Sequence, residues 1–232
     1  MDEIFRGFVQ ALQLLVSADP ALVEIISLSL RVSGIALALS TLIGVPLGAA
    51  LGLSRIRARG FITALLYTGM GLPPVVVGLF VYLMLSRSGP VGVLGWLFSP
   101  NAMIVAQVII AFPLVAGLTM AAVQGVDPAL RLQVRSLGAT RWQEIWAVLR
   151  QARIGVVAAI VAAFGGVISE VGAVMLVGGN IDGKTRVLTT AIVLNTRTGD
   201  FSTAIALGII LLLLAFIANV AMLRLQYVSG GK

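Results

Sequence analysis

The chain has 232 residues, 59% hydrophobic and 11% charged, with a net charge of +7 and neither histidine nor cysteine. A soluble domain carries about 25% charged residues, so the composition excludes an ordinary soluble protein. The two missing residue types exclude disulfide and thiolate chemistry and remove the commonest general base and metal ligand. No Gly-x-x-x-x-Gly-Lys-Ser/Thr phosphate loop occurs, so any ATP used must be bound by another chain.

The first 20 residues, MDEIFRGFVQALQLLVSADP, are not a cleavable leader, because they begin acidic and glutamines interrupt the apolar run. They predict an amphipathic helix. Ile4, Phe5, Phe8, Val9, Leu12, Leu15 and Val16 share one face, and Asp2, Glu3, Arg6, Gln10 and Gln13 lie mostly on the other. Two readings stand: a helix in the membrane interface, or one packed on the protein's own bundle. Asp19-Pro20 ends it.

Four uncharged runs follow, Val32–Leu53, Phe61–Leu85, Ala102–Val126 and Phe201–Leu223, and a fifth, Ile154–Val177, contains only Glu170. A helix needs roughly 20 apolar residues to cross a bilayer. The expected fold is therefore an all-α integral membrane protein with five spans, at about 25–53, 61–85, 102–126, 154–177 and 201–225. These make a transmembrane domain over 21–226, with a tail over 227–232. In the first span Gly44, Gly48 and Gly52 form a small-xxx-small row suited to close helix packing, and Pro46 invites a kink. In the second, Pro73 and Pro74 among glycines predict a bent or broken helix, either for packing or along a pathway. Glu170 is costly within a span, by about 2.5–3.5 kcal/mol. It lines a pore or carries a proton, or it is a structural carboxylate bonded to Ser169 or paired with Arg31.

Basic residues set the orientation. Arg55, Arg57, Arg59, Arg131, Arg135, Arg141, Arg150, Arg153, Arg224 and Lys232 fall on one side; Arg6, Arg31, Arg87, Lys184, Arg186 and Arg197 fall on the other. The first side is expected to be cytoplasmic, with the N-terminus outside. The net charge is thus an orientation signal and not a sign of nucleic-acid binding. The outer segments, SRSGPVGVLGWLFSPN and GGNIDGKTRVLTTAIVLNTRTGD, are rich in turn formers, and Val187–Leu194 is apolar enough to dip back toward the bilayer.

The loop DPALRLQVRSLGATRWQEIWAVLRQAR, 127–153, is the polar anomaly. Asp127-Pro128 is an N-cap followed by proline at the first helical position. Gly138 is a stop, and Thr140-Arg141-Trp142-Gln143 fits a capping box. Two short helices, about 128–137 and 141–152, are expected around the corner Gly138-Ala139-Thr140. Apolar stripes are expected at Leu130, Val134 and Leu137 and at Trp142, Ile145, Trp146 and Leu149. An interfacial anchor and a docking element with exposed aromatics and arginines both suit the loop. A DNA-binding helix-turn-helix does not, since no third supporting helix fits between two spans.

This loop resembles the coupling loop of the permease subunits of ABC importers, whose pattern is Glu-Ala-Ala, three residues, Gly, nine residues, Ile, one residue, Leu-Pro. Gly138 takes the glycine place, Val148 takes the isoleucine place, and LGATRW is very like the family's run. Leu132-Gln133-Val134 stands where Glu-Ala-Ala would be, and Arg150-Gln151 where Leu-Pro would be. GLPPVVVGL, SRSGPVGVLGWLFSPNAMIVAQ and SEVGAVMLVGGNIDGKTRVLTTAI are similar to segments of the molybdate/tungstate permeases, and the five-span count is nearest their tungstate-type branch. The resemblance covers about residues 25–225.

It implies a type I importer architecture in a bacterial or archaeal inner membrane, and no catalytic residue, metal or cofactor in this chain. Its implied partners are a second copy of itself, a cytoplasmic ATPase dimer that binds ATP and Mg, and an extracytoplasmic oxyanion-binding protein. It places Arg135, Leu137, Gly138, Ala139, Thr140, Arg141 and Trp142 in ATPase coupling. Candidates for the pathway or gate are Pro73, Pro74, Ser169, Glu170, Asn180, Thr185 and Thr189. Lys184, Arg186 and Arg197 are expected to face the binding protein, where they could steer an anion over distance. The competing function is a stand-alone secondary transporter or channel using Glu170. A membrane enzyme is disfavoured, because histidine, cysteine and clustered acids are lacking.

Overall fold

The computed structural model describes residues 2–17, 19–54 and 59–228. Arg55, Arg57, Lys232 and the last part of the tail lie outside them, as do the side chains of Asp2 and Glu3. The described residues form eleven α-helices and one 3-10 turn, and no strand. That is what a bilayer dictates, because only helices and closed barrels satisfy their own backbone hydrogen bonds without water.

The helices in chain order are α1 (Asp2–Ser17), α2 (Pro20–Leu53), α3 (Arg59–Met70), α4 (Pro74–Leu85), α5 (Pro100–Gln124), α6 (Pro128–Ser136), α7 (Arg141–Gln151), α8 (Arg153–Ile168), α9 (Gly172–Gly178), α10 (Leu188–Thr198) and α11 (Phe201–Val228). The 3-10 turn Gly92–Leu94 lies between α4 and α5. Three helices are long and apolar enough to cross a membrane unbroken: α2, α5 and the Phe201–Met222 part of α11. The second predicted span, 61–85, is two twelve-residue helices, α3 and α4, with a break at Gly71–Pro73. Pro74 sits at the first position of α4, where its missing N–H costs nothing.

The fourth span departs from expectation. It does not run unbroken to Val177, because α8 ends at Ile168 and α9 starts at Gly172. Glu170 is the physical reason, since its Oε1 accepts the Ala173 N–H at 2.9 Å and so starts a new helix. α8 itself has 16 residues and reaches spanning length only with α7, from which it bends by 67°. α7 carries Arg141, Glu144 and Arg150, so α8 is the part that suits the hydrocarbon. α2 begins at Pro20, earlier than predicted, because Asp19 Oδ1 accepts the amides of Ala21 and Leu22 at 2.9 and 3.1 Å.

The chain divides into two compact units. One comprises Met1–Ala36, Pro73–Gln107 and Gly165–Val220. Its core gathers Ala11, Leu22, Leu188, Ala191, Ala206, Leu207 and Ile210. Here α1 is a bundle helix, held by its small-residue face. Gly7 lies against Ile205, Ala11 is buried, and Gln10 Nε2 donates to Thr203 Oγ1 at 2.8 Å. The large apolar face, with Ile4, Phe5, Phe8 and Leu12, stays exposed. Gly78 of α4 meets the Ala173 backbone of α9 in the same unit.

The second unit comprises Leu37–Leu72, Val108–Phe164 and Ala221–Lys232. The glycine row packs as its spacing predicts. A Cβ on Gly44 would lie 3.0 Å from Val115, one on Gly52 would lie 2.7 Å from Val123, and one on Gly48 would strike the Ala116 carbonyl oxygen. With little hydrophobic drive between helices in lipid, such close backbone approach supplies the dispersion contacts that join α2 to α5. Gly48→Val should lower the stability of the detergent-solubilised protein by about 1–3 kcal/mol, as overpacking does. Thermal unfolding reads this, and an unchanged midpoint would contradict the packing.

Candidate functional site

The clearest functional geometry in the second unit is the 127–153 loop. Asp127 Oδ1 accepts the Ala129 amide at 2.8 Å and caps α6. Gly138 has φ +80°, a left-handed conformation that glycine adopts without Cβ strain, and it ends the turn. The predicted capping box is present: Thr140 Oγ1 accepts the Gln143 amide at 3.4 Å, and Gln143 Oε1 accepts the Thr140 amide at 2.8 Å. The observed helices, Pro128–Ser136 and Arg141–Gln151, agree with the sequence reading to within a residue.

The face that α7 turns inward is not the tryptophan stripe. Glu144, Val148 and Ala152 are buried, at a spacing of four, and Val148 and Ala152 join a cluster with Ala49 and Val123. The stripe residues Trp142 and Trp146 are instead 80% and 70% exposed, and Leu137 at the corner is 87% exposed. The physical reason is Glu144, which has partners only on the inner side. Its Oε1 accepts from Arg131 Nε at 2.8 Å and its Oε2 from Arg135 Nε at 2.7 Å. One carboxylate thus ties α7 to two successive turns of α6.

Glu144 is only 4% exposed. The Arg135 hydrogen bond holds its carboxyl below the ordinary range; Arg131 acts the same way, and burial opposes both. An open groove of about 680 Å³ lies beside this clamp, lined by Leu53, Ser54, Arg131, Arg135, Arg141 and Glu144, among others. The sequence reading missed Glu144. The available signal was an acid near the start of a helix whose neighbouring helix carries two arginines one turn apart.

In the first unit, the break between α8 and α9 gathers several predicted residues. Gly172 leaves room for Val75, so the Pro73-Pro74 start of α4 lies beside the break. Thr189 Oγ1 donates to the Glu170 carbonyl at 3.0 Å, which brings α10 to the same place. Neither predicted partner of the Glu170 carboxylate is used. Ser169 Oγ donates to the Gly165 carbonyl at 2.7 Å, and Arg31 is exposed without an ion pair to Glu170. A further residue, Gln107 of α5, was not foreseen. It is buried at 3% exposure, with Nε2 donating to the Val167 carbonyl at 2.9 Å.

The predicted outer residues divide by role. Thr185 is fully buried and staples its loop, accepting the Ile181 amide at 2.9 Å and donating to the Gly178 carbonyl at 2.7 Å. Asn180 has φ +50°, directly after left-handed Gly179, and shapes the same turn. Arg186 pairs with Asp182 at 2.6 Å, whereas Lys184 and Arg197 are exposed. Of Val187–Leu194, expected to dip back, Val187 is the N-cap of α10 and the rest lies within it, with its first residues Leu188, Thr189, Thr190 and Ala191 buried.

An all-helical chain with broken spans and a two-helix corner has the type I ABC importer architecture. A chain of the MetNI methionine ABC transporter, solved in inward-facing conformations, shares the fold with a TM-score of 0.77 at 19% identity. The match covers 91% of this chain and 97% of that one. Residues 44–227 match the binding-protein-dependent transport system inner membrane component family, and the chain belongs to that family. The tungstate uptake system permease protein TupB of Peptoclostridium acidaminophilum is 42% identical, over 97% of this chain and 99% of its own. A probable anion ABC transporter permease protein of Haloferax volcanii is 44% identical, over 91% and 93%. Family membership does not favour the stand-alone secondary transporter or channel.

Because the folded Glu144 pKa is lowered, its contribution to the loop is fully present above its ordinary value of 4.5. That contribution is lost as pH falls through the lowered folded value. Glu144→Gln at neutral pH should reproduce the acid-side loss. Protection of the amides over 128–151 against hydrogen exchange, relative to the intrinsic rate at each pH, should fall in the variant and in the parent under acid. Equal protection in variant and parent at neutral pH would show that the clamp contributes nothing.

Proposed function

We propose that two copies of this chain form the translocation pathway of an ATP-driven oxyanion importer, with tungstate as the favoured cargo and molybdate next. The observation that carries the reading is the corner at Gly138. It is a rigid, doubly capped turn with Leu137, Trp142 and Trp146 exposed beside it. Exposed aromatics and arginines on a preorganised element are what a docking surface uses.

In this reading the corner lies in the cytoplasm and seats on an ABC ATPase, which binds ATP and Mg. The N-terminus lies outside. Arg135, Leu137, Gly138, Ala139, Thr140, Arg141 and Trp142 form the coupling surface. Nucleotide-driven closure of the ATPase dimer moves the two corners and switches the pathway between outward-open and inward-open.

The pathway is assigned to the α8–α9 break with Pro73, Pro74, Ser169, Glu170 and Thr189, while Asn180 and Thr185 shape the loop that follows. Exposed Lys184 and Arg197, with Arg186, face an extracytoplasmic binding protein and steer its anion by charge. Tungstate is favoured by the tungstate permease relative and by the segments around Pro73 and Gly179. The membrane assigned is the inner membrane of a bacterium or archaeon.

The test is reconstitution in liposomes with the ATPase and the binding protein, reading ATP turnover and tungstate uptake together. Gly138→Arg places a long side chain at an open position with strained backbone, at a cost of about 1–2 kcal/mol. Uptake should fall at least tenfold or so, the effect of roughly 1.4 kcal/mol at an interface, while the chain still inserts. Normal uptake by this variant would overturn the docking role of the corner.

A further inference from the structure

The α8–α9 break, assigned above to the pathway, holds a small cavity whose occupant that reading does not specify. It has a volume of about 10 Å³ and is lined by Ser29, Ser33, Gln107, Val167, Glu170 and Thr189, among others. That is about the space of one water-sized particle. Its polar lining is rich in oxygen. Gln107 Nε2 is committed to the Val167 carbonyl at 2.9 Å, which fixes the amide orientation. Gln107 Oε1 is buried and has no hydrogen-bond partner.

Ser29 Oγ donates to the Ile25 carbonyl at 2.7 Å and accepts the Leu188 amide at 2.9 Å. Thr189 Oγ1 donates to the Glu170 carbonyl. Both hydroxyls have spent their hydrogens and keep lone pairs. Glu170 Oε1 caps α9 through the Ala173 amide, and no cationic side chain neutralises the carboxylate. The residues lining the cavity thus bring five side chains with oxygen atoms, a carboxylate among them, against two remaining donors, the Ser33 hydroxyl and the second Gln107 Nε2 hydrogen.

We infer that the oxygens of Ser29, Ser33, Gln107, Glu170 and Thr189 form a site for one monovalent cation of sodium size. Hard cations take oxygen ligands, carboxylate and amide carbonyl among them. A broken membrane helix that exposes such oxygens is where sodium is held in other folds. Among the described residues no group of three or more His, Cys, Asp or Glu could hold a multivalent metal. One carboxylate with neutral oxygens instead matches a single positive charge.

A carboxylate repels an anion, so the site is a structural part of the proposed pathway's wall and not a station for the transported oxyanion. The cation is a fixed counter-charge. It ties the first-unit parts of α2 and α5 to the α8–α9 break and α10, and it supplies the charge partner that Arg31 does not. The inference is independent of which anion is carried.

The test uses the full-length chain purified into lipid nanodiscs. Thermal unfolding is followed while sodium chloride replaces choline chloride at constant ionic strength, with potassium chloride as a third series. The expected result is a saturable rise in the unfolding midpoint with sodium, needing at least tenfold more potassium for the same rise. Gln107→Leu and Ser33→Ala should shift the sodium midpoint at least tenfold upward, and Glu170→Gln should abolish the response. If a variant does not fold, the sodium-against-choline comparison on the parent chain still decides. No difference between sodium and choline means that the cavity holds no cation, and it overturns the site. Equal responses to sodium and potassium overturn the size assignment, and an undiminished response in Glu170→Gln overturns the ligand set.

Discussion

Backbone hydrogen bonding without water is the constraint on which the rest of this structure depends. In the hydrocarbon region an unpaired amide or carbonyl costs several kcal/mol. Long helices meet that demand by themselves, and every interruption must be repaired by a side chain. The interruptions here are repaired one by one. Glu170 caps α9 and Thr185 closes the loop after it. Ser29 receives the amide of Leu188, and Pro74 begins α4 by having no amide to satisfy. The polar residues of the membrane part are thereby explained first as backbone partners. A functional role has to rest on what they have left over, such as the unpaired Gln107 Oε1.

The same accounting separates the two polar regions. The 127–153 loop spends its polar groups on itself, through two caps and one clamp, and turns its large apolar side chains outward. An exposed tryptophan gains nothing from water, so two of them held on a stiff helix are surface kept for a lipid interface or a partner. The α8–α9 region does the reverse. It is enclosed by small and apolar residues and leaves acceptors facing inward.

Much of this was legible in the sequence. The apolar runs gave α2, α5 and α11, the glycine row gave the α2–α5 contact, and the turn chemistry at Asp127, Gly138 and Thr140 gave the corner to within a residue. These features depend on neighbours a few positions away. The misses depend on distant neighbours. Helical periodicity put Trp142 and Trp146 on one apolar stripe, but it did not show the inward face of α7, which the buried pairing of Glu144 with Arg131 and Arg135 sets. Composition joined 154–177 into one span, because nothing local says that Glu170 will cap a new helix. In α1 the large apolar residues drew attention, whereas the packed face is the Gly7 and Ala11 side, chosen by the close approach of α11.

The departure from the family's coupling pattern is coherent with this geometry. Leu132 stands where the pattern has glutamate and is exposed, so an acid at that position would face outward. In this chain the clamping acid is Glu144, on the other helix and facing inward, where it pairs with Arg131 and Arg135 and offsets one of their two charges. An outward charge has been replaced by an outward leucine, and the stiffness of the corner has become an internal property of α6 and α7. On the proposed reading, the surface presented to an ATPase is then more apolar around Leu132 and Leu137 and keeps positive charge at Arg141 and at the half-exposed Arg135. The cleft that accepts it must answer with apolar contact first and an acid second, which sets its partner apart from ATPases matched to the usual pattern.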